Sequence, residues 1–300
     1  MLLLVGPKPS IRICTNMKII TAVVNNPEFI EIQYHTLKRF YQGDYEFIVF
    51  NDAKSFPDYT NGGDLTIKQQ IEDKCNALQI QCISIPNDHH CIQDNASERS
   101  ADSMNFMFRY QTSHPDQYLV IDSDMFLINN WSTESLLGYD AAIVLQSRTD
   151  PTYHYPWNGW CYFDMFELKN NNLVHWERIP GYCDTGGKMN DWLQVQMAGQ
   201  PMPNTDDIRW SNNMFYTDKI YFIKHLWSCT WDISEAPEYI KQNATLLDFL
   251  MNDPRNINGK FFCELYDGAF LHYRAGGNWR QEGIAFHQAI THKLKQALET

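Results

Sequence analysis

The chain has 300 residues, 44% of them hydrophobic and 14% aromatic, which is enough to bury a sizeable core in one large α/β domain or two small ones and excludes a disordered chain. Lys and Arg total 24 against 36 Asp and Glu. The resulting net charge of −12 offers no basic face to a nucleic-acid backbone, so a polyanionic partner would need a cation as go-between.

The opening MLLLVGPKPS is apolar for too few residues to form a secretory h-region or a spanning helix, and no transmembrane segment is visible further on. Met17 begins MKIITAVVNN, which reads as a first strand, so residues 1–16 are either a dispensable extension or the product of an upstream start. Residues 17–300 then form a single domain, since no repeat, linker or low-complexity segment interrupts them. The eight cysteines are scattered without a CxxC pair, which favours reduced thiols and a cytoplasmic location; Cys75, Cys82 and Cys91 lie closest and read as ordinary thiols. Glycosylation sequons at Asn95, Asn130 and Asn243 read as chance matches in a chain without a secretory signal.

KIITAVV (18–24) predicts a strand stopped by NNP, and PEFIEIQYHTLKRFYQG predicts a helix with Pro27 in its first turn and Gly43 as its stop. YEFIVFND (45–52) is a second strand with Asp52 at its carboxyl end, and strand, helix, strand at this spacing implies a crossover in a parallel sheet. A glycine-rich turn, a polar helix and a third strand ending at Pro86 continue the alternation. A helix follows with Met104, Met107 and Phe108 on its buried side, leading into the strand YLVI. After it come a strand in SLLGYDAAIVLQ, a loop and then a strand in YPWNGWCYFDMFEL, and a glycine turn opening a helix in CDTGGKMNDWLQVQM. NNMFYTDKIYFIKHLW carries strand-like segments, residues 234–248 predict a helical stretch, and a terminal helix shows a stripe of Ile284, Ala285, Ile290 and Leu294.

The segment QYLVIDSDMFLINN sets Asp122 and Asp124 one residue apart at the end of an apolar strand, where unpaired charge is costly to bury. Side chains alternate along an extended chain, so carboxylates at i and i+2 can face one cation. Mg²⁺ suits carboxylate oxygens and leaves positions for substrate phosphates, and Mn²⁺ also accepts imidazole. Asp-Ser-Asp also occurs in turns, bonding local amides. The apolar strand before it and MFLI after it favour the cation.

These elements, with YLVIDSDMFLI, WNGWCYFDMFEL and FLHYRAGGNW as the specific parts, resemble glycosyltransferases of the GT-A fold from about Lys18 to Trp279. The resemblance implies a Rossmann-like α/β fold, a mostly parallel central sheet flanked by helices, with a nucleotide-sugar half at about 17–130 and an acceptor half at about 131–300. It further implies transfer of a hexosyl or pentosyl group from a nucleotide-diphosphate sugar to a hydroxyl of a glycan, glycoprotein or glycolipid. His272, otherwise one of ten histidines and readable as a structural hydrogen-bonder, becomes a third metal ligand beside Asp122 and Asp124. Asp122 is then expected to reach the ribose as well, and Asp52 the nucleoside. Gly276 and its neighbour would let backbone approach the diphosphate while Arg274 adds charge, and Arg99 and Arg109 are candidates for donor phosphate or sugar.

An inverting transferase needs a carboxylate to take the acceptor proton, and Asp184 in GYCDTGG is the first candidate, Asp191 the second; helix capping is the ordinary explanation for either. Trp157, Asn158, Gly159 and Trp160 suit sugar recognition, with core packing as the alternative for at least one tryptophan. Two rivals stand beside this reading. One is a non-catalytic carbohydrate-binding protein on the same fold. The other is a haloacid-dehalogenase-type phosphotransferase, disfavoured because more than a hundred residues precede the motif and Phe126 stands where that class has a small hydroxyl or β-branched residue. Oligomeric state and stereochemical outcome have no signature in the sequence.

Overall fold

Short β-branched and aromatic runs make β1 (Met17–Val23), β2 (Tyr45–Asn51), β3 (Gln81–Ser84) and β4 (Gln117–Ile121), which lie parallel in the order β3-β2-β1-β4. The computed structural model describes residues 17–86, 95–148, 150–209, 215–279 and 282–299. The N-terminal extension, His89, His90 and Cys91 lie outside the described residues, as do residues 210–214 of the strand-like stretch. Between the parallel strands run α1 (Pro27–Phe40), α2 (Ile67–Leu78) and α3 (Ala96–Ser113). Asn26 caps α1 ahead of Pro27 by accepting the Glu28 amide at 3.2 Å, and Asn95 caps α3 by accepting the Ser97 amide at 2.9 Å.

The chain then supplies β5 (Met125–Leu127), β6 (Ala141–Gln146), β7 (Tyr155–Asp164), α4 (Asn190–Met197), β8 (Phe215–Tyr216), β9 (Ile220–Phe222) and β10 (His225–Leu226). It ends with α5 (Glu238–Gln242), α6 (Ala244–Met251), β11 (Glu264–Tyr266), β12 (Phe270–His272) and α7 (Ile284–Glu299). The main sheet has eight strands in the order β3-β2-β1-β4-β7-β6-β9-β8. It is mostly parallel, with β7 and β8 antiparallel to their neighbours. A second, four-stranded sheet, β10-β11-β12-β5, is antiparallel throughout. Among the described residues, no helix is long and apolar enough to cross a membrane.

The alternation of side chains divides the core. Ile19, Val49 and Leu119 pack with Ile30, Leu37, Ile71 and Cys75 of α1 and α2 on one face of the main sheet. Ile20, Phe50 and Val120 pack with Met104, Met107 and Phe108 of α3 and Trp192 of α4 on the other. Parallel strands buried on both faces therefore read as nearly continuous apolar runs. A third cluster joins Phe126, Leu265 and Leu271 of the small sheet to Ile240, Leu250 and Leu294 of α5, α6 and α7.

Two sequence expectations need correction, and the helical stretch at 234–248 gains a division. The stretch YPWNGW is no loop but the first half of β7, paired with β6 and β4. Residues 234–248 hold two helices, because the Asn243 side chain accepts the Leu246 amide at 3.0 Å and starts α6 afresh. Ala285 is exposed on α7, whose buried stripe runs instead through His287, Ile290, Thr291 and Leu294.

Candidate metal centre and cleft

Strand order reverses between β1 and β4, since β1 leads outward to β2 and β3 on one side and β4 lies on the other. Open α/β sheets take ligands in the crevice at the carboxyl ends of strands at such a point. A cleft of about 960 Å³ opens there, with Val24 after β1, Asp52 after β2 and Asp122 after β4 in its wall.

Asp122, Ser123 and Asp124 carry the chain from β4 of the main sheet into β5 of the small one. The turn is pinned from several directions. The Asp122 amide donates to the Gly159 carbonyl at 2.8 Å, and the Gln33 side chain donates to the carbonyls of Asp122 at 2.8 Å and Met125 at 3.0 Å. On the far side, β12 pairs antiparallel with β5, setting His272 opposite Met125. The Tyr273 amide then donates to the Asp124 carbonyl at 2.9 Å.

This framework makes the side chains converge. His272 Nε2 lies 3.2 Å from Asp124 Oδ1 and 4.0 Å from Asp122 Oδ2. One ligating atom from each of Asp122, Asp124 and His272 can be chosen so that all lie within 4.8 Å of one another. The other oxygen of Asp124 accepts the Gly276 amide at 2.6 Å. The donor set, two carboxylates and an imidazole, fits a hard or borderline dication.

Glu264 stands behind the histidine and was missed in the sequence. It lies directly opposite His272 across the β11–β12 pair and accepts from His272 Nδ1 at 2.8 Å and from the Tyr266 hydroxyl at 2.7 Å. A carboxylate on the far nitrogen of a ligating histidine fixes the ring and raises its basicity. Burial opposes charge on His272, but Asp124 and Glu264 outweigh it and hold the imidazolium up to about 10. Burial likewise pushes Asp124 and Glu264 up, and the His272 charge brings both below the ordinary carboxylate range. Enclosure in the cleft, then the like charge of Asp124, raises Asp122 to about 6.

Gly159 has a steric role. A Cβ there would sit 2.1 Å from the Trp157 ring, so only glycine lets that indole lie across β7. Trp157 stacks on Tyr266 at 4.9 Å, with its centroid 5.1 Å from that of His272, and forms part of the cleft wall. Asn158 also lines the cleft and donates to Ser100 Oγ at 3.0 Å. Trp160 does not: it is fully buried against Trp131 and Phe270 and belongs to the core.

On the other wall, Asp52 Oδ2 takes the Ser103 hydroxyl at 2.6 Å and the Lys54 ammonium at 2.9 Å, while its Oδ1 is buried with no hydrogen-bond partner among the described residues. Arg99 lines the cleft but is paired with Asp58 and lies over the Tyr59 ring. Asp184 is also in the wall, bonded by Ser97 and by Arg148 at 3.1 Å. Arg274 lines the cleft with Nη1 on Ser228 Oγ at 2.8 Å. Arg109 and Asp191 are corrections: both are exposed and outside the cleft, Arg109 over the Phe106 ring and Asp191 in the first turn of α4, where an acid favours the helix dipole. Trp227 and Phe262, which the sequence reading passed over, extend the aromatic wall.

The molecule is thus a mixed α/β protein with a mostly parallel sheet, compatible with a Rossmann-like fold, and with an acidic, histidine-containing cluster at its crevice. Compared with known proteins, the chain matches no family model, and no curated protein matches it.

Proposed function

We propose that the chain is a metal-dependent glycosyltransferase of the GT-A type, moving a sugar from a nucleotide-diphosphate donor to an acceptor hydroxyl with Mn²⁺ or Mg²⁺. The observation that carries this reading is the convergence of Asp122, Asp124 and His272 in the lining of a cleft large enough for a nucleotide sugar. Asp122, Asp124 and His272 would hold the ion, which when bound supplies Lewis-acid stabilisation to a departing diphosphate. Asp122, with 37% of its side chain exposed, is placed to meet a ribose as well. Asp52, in the cleft lining and anchored through Oδ2 by Lys54 and Ser103, would face the nucleoside. Trp157, held by Tyr266, gives a pyranose a rigid apolar face. Asp184 accepts the proton of the acceptor hydroxyl, or orients that hydroxyl, from the opposite wall.

The test is direct. Incubation with a panel of nucleotide sugars and Mn²⁺ should release nucleoside diphosphate, and chelation should stop it. Asp124→Asn should lose metal-dependent donor binding by calorimetry yet stay folded, because the amide oxygen can still accept from Gly276. Unchanged affinity in that variant would overturn the reading, and sugar binding without donor turnover would favour a lectin-like protein.

A further inference from the structure

The segment after His272 is backbone in an unfavourable conformation. Arg274 and Ala275 have φ of 60° and 58°, a left-handed region that is unfavourable for a non-glycine residue. This pair of residues delivers the Gly276 amide to Asp124 Oδ2. Glycine is needed at that next position, since a Cβ would meet the Tyr273 ring at 2.7 Å and the Phe29 ring at 2.9 Å. Such a turn persists only where its surroundings over-determine it.

One side chain does most of that. Arg255 Nη1 donates to the Arg274 carbonyl at 2.9 Å and Nη2 to the Tyr273 carbonyl at 3.1 Å. Asp253 meets the same guanidinium bidentately, taking Nε on Oδ1 at 3.0 Å and Nη2 on Oδ2 at 2.7 Å. The pair is buried, with 7% and 1% of the side chains exposed, and the guanidinium lies 4.2 Å from the Tyr273 centroid and 4.3 Å from that of Phe262. A planar fork with five donors can satisfy a carboxylate and two carbonyls together, which an ammonium cannot.

We infer that Arg255 is a positioning residue for the metal centre: by gripping the carbonyls of Tyr273 and Arg274 it fixes the turn that aims the Gly276 amide at Asp124, and so sets the orientation of that carboxylate toward His272. The inference rests on the reading of Asp122, Asp124 and His272 as a metal site. Arg255 touches none of the three in the described structure, so its effect runs through backbone.

The experiment uses the full chain, with Mn²⁺ alone as probe. Arg255→Lys keeps the charge but loses the fork, and should bind Mn²⁺ about 10–100-fold more weakly by electron paramagnetic resonance, the range for losing a group that orients ligands. Amide exchange at Gly276 in the metal-free protein should speed up while the melting transition stays cooperative. Asp253→Asn, which loosens Arg255 without removing it, should shift both readouts the same way by less and decides the matter if the lysine variant does not fold. Mn²⁺ affinity within twofold of the parent in a folded variant overturns the inference and leaves the metal reading standing. Failure of the parent itself to bind Mn²⁺ overturns the metal reading and takes this inference with it.

Discussion

Replacing Glu264 by Gln isolates the charge behind His272 without changing shape. The amide oxygen can keep the His272 and Tyr266 bonds, now at 2.8 and 2.7 Å, but the NH₂ group then faces the Ser228 amide at 3.2 Å and Arg274 Nε at 3.7 Å. That donor-against-donor contact should cost about 1–3 kcal/mol of folding stability. Loss of the orienting carboxylate should weaken Mn²⁺ about 10–100-fold, equivalent to about 1.4–2.7 kcal/mol. A second effect opposes the first. Glu264 helps to hold the proton on His272, so its removal makes that proton easier for an ion to displace. The net loss should therefore be larger at pH 9 than at pH 6, where relief from the proton offsets part of it. Titration of free Mn²⁺ by electron paramagnetic resonance at both values reads this out, with thermal melting as the check on folding. A folded Gln variant that binds Mn²⁺ like the parent at pH 9 would refute the role given to Glu264.

Metal affinity of the parent should itself climb with pH. The sign follows from His272, held protonated up to about 10, so that at neutral pH an ion must expel a proton and affinity should gain about tenfold per pH unit. Near and below about 6, Asp122 begins to take up a proton as well and the dependence should steepen. Calorimetry in buffers of different ionisation heat should find about one proton released per Mn²⁺ at pH 8; a flat profile with no proton release would contradict the pairing. Gly159→Ala should destabilise by about 1–3 kcal/mol and weaken nucleotide-sugar binding, because a Cβ 2.1 Å from the Trp157 ring forces the indole off Tyr266. Parent-like melting and parent-like tryptophan fluorescence in that variant would rule the packing argument out.

The first half of the fold was legible because local and global signals agree there. Apolar runs in β1, β2 and β4 are buried on both faces, and Asn26 and Asn95 cap the helices that the pattern announces. Residues 155–160 misled because Pro, Asn and Gly suggest a turn, whereas Trp160 is drawn into a cluster with Trp131 and Phe270 that holds the strand together. The aspartate pair was legible from its place at the end of an apolar strand, but its carboxylates converge through the turn of residues 122–124 between β4 and β5 and not through strand alternation. Glu264 could have been legible too: Asp267 and Gly268, both at positive φ, mark a hairpin that sets residue 264 across from 272. Arg255 gives no such signal, since the two carbonyls it grips lie 18 and 19 residues away and meet it only through tertiary packing. Charge and nearness to a motif point to Arg109 and Asp191, and neither says which face of a helix carries the side chain.

The cluster carries more negative than positive charge, which bears on how it would take up a cation. Three acids, Asp122, Asp124 and Glu264, share one cleft with the His272 imidazolium between them and a backbone amide on Asp124. An uncompensated set of buried carboxylates would cost several kcal/mol per charge. Here the proton on His272 offsets part of that charge, and Arg274 lies 3.7 Å from Glu264. A dication and that proton are then competitors for the same negative field. On the proposed metal reading, binding strength would be set by their difference, with Glu264 acting through the ring and Arg255 through the carboxylate. A site built this way trades affinity for exchange, and that suits an ion that accompanies a charged substrate into a cleft better than one locked permanently in a structural role.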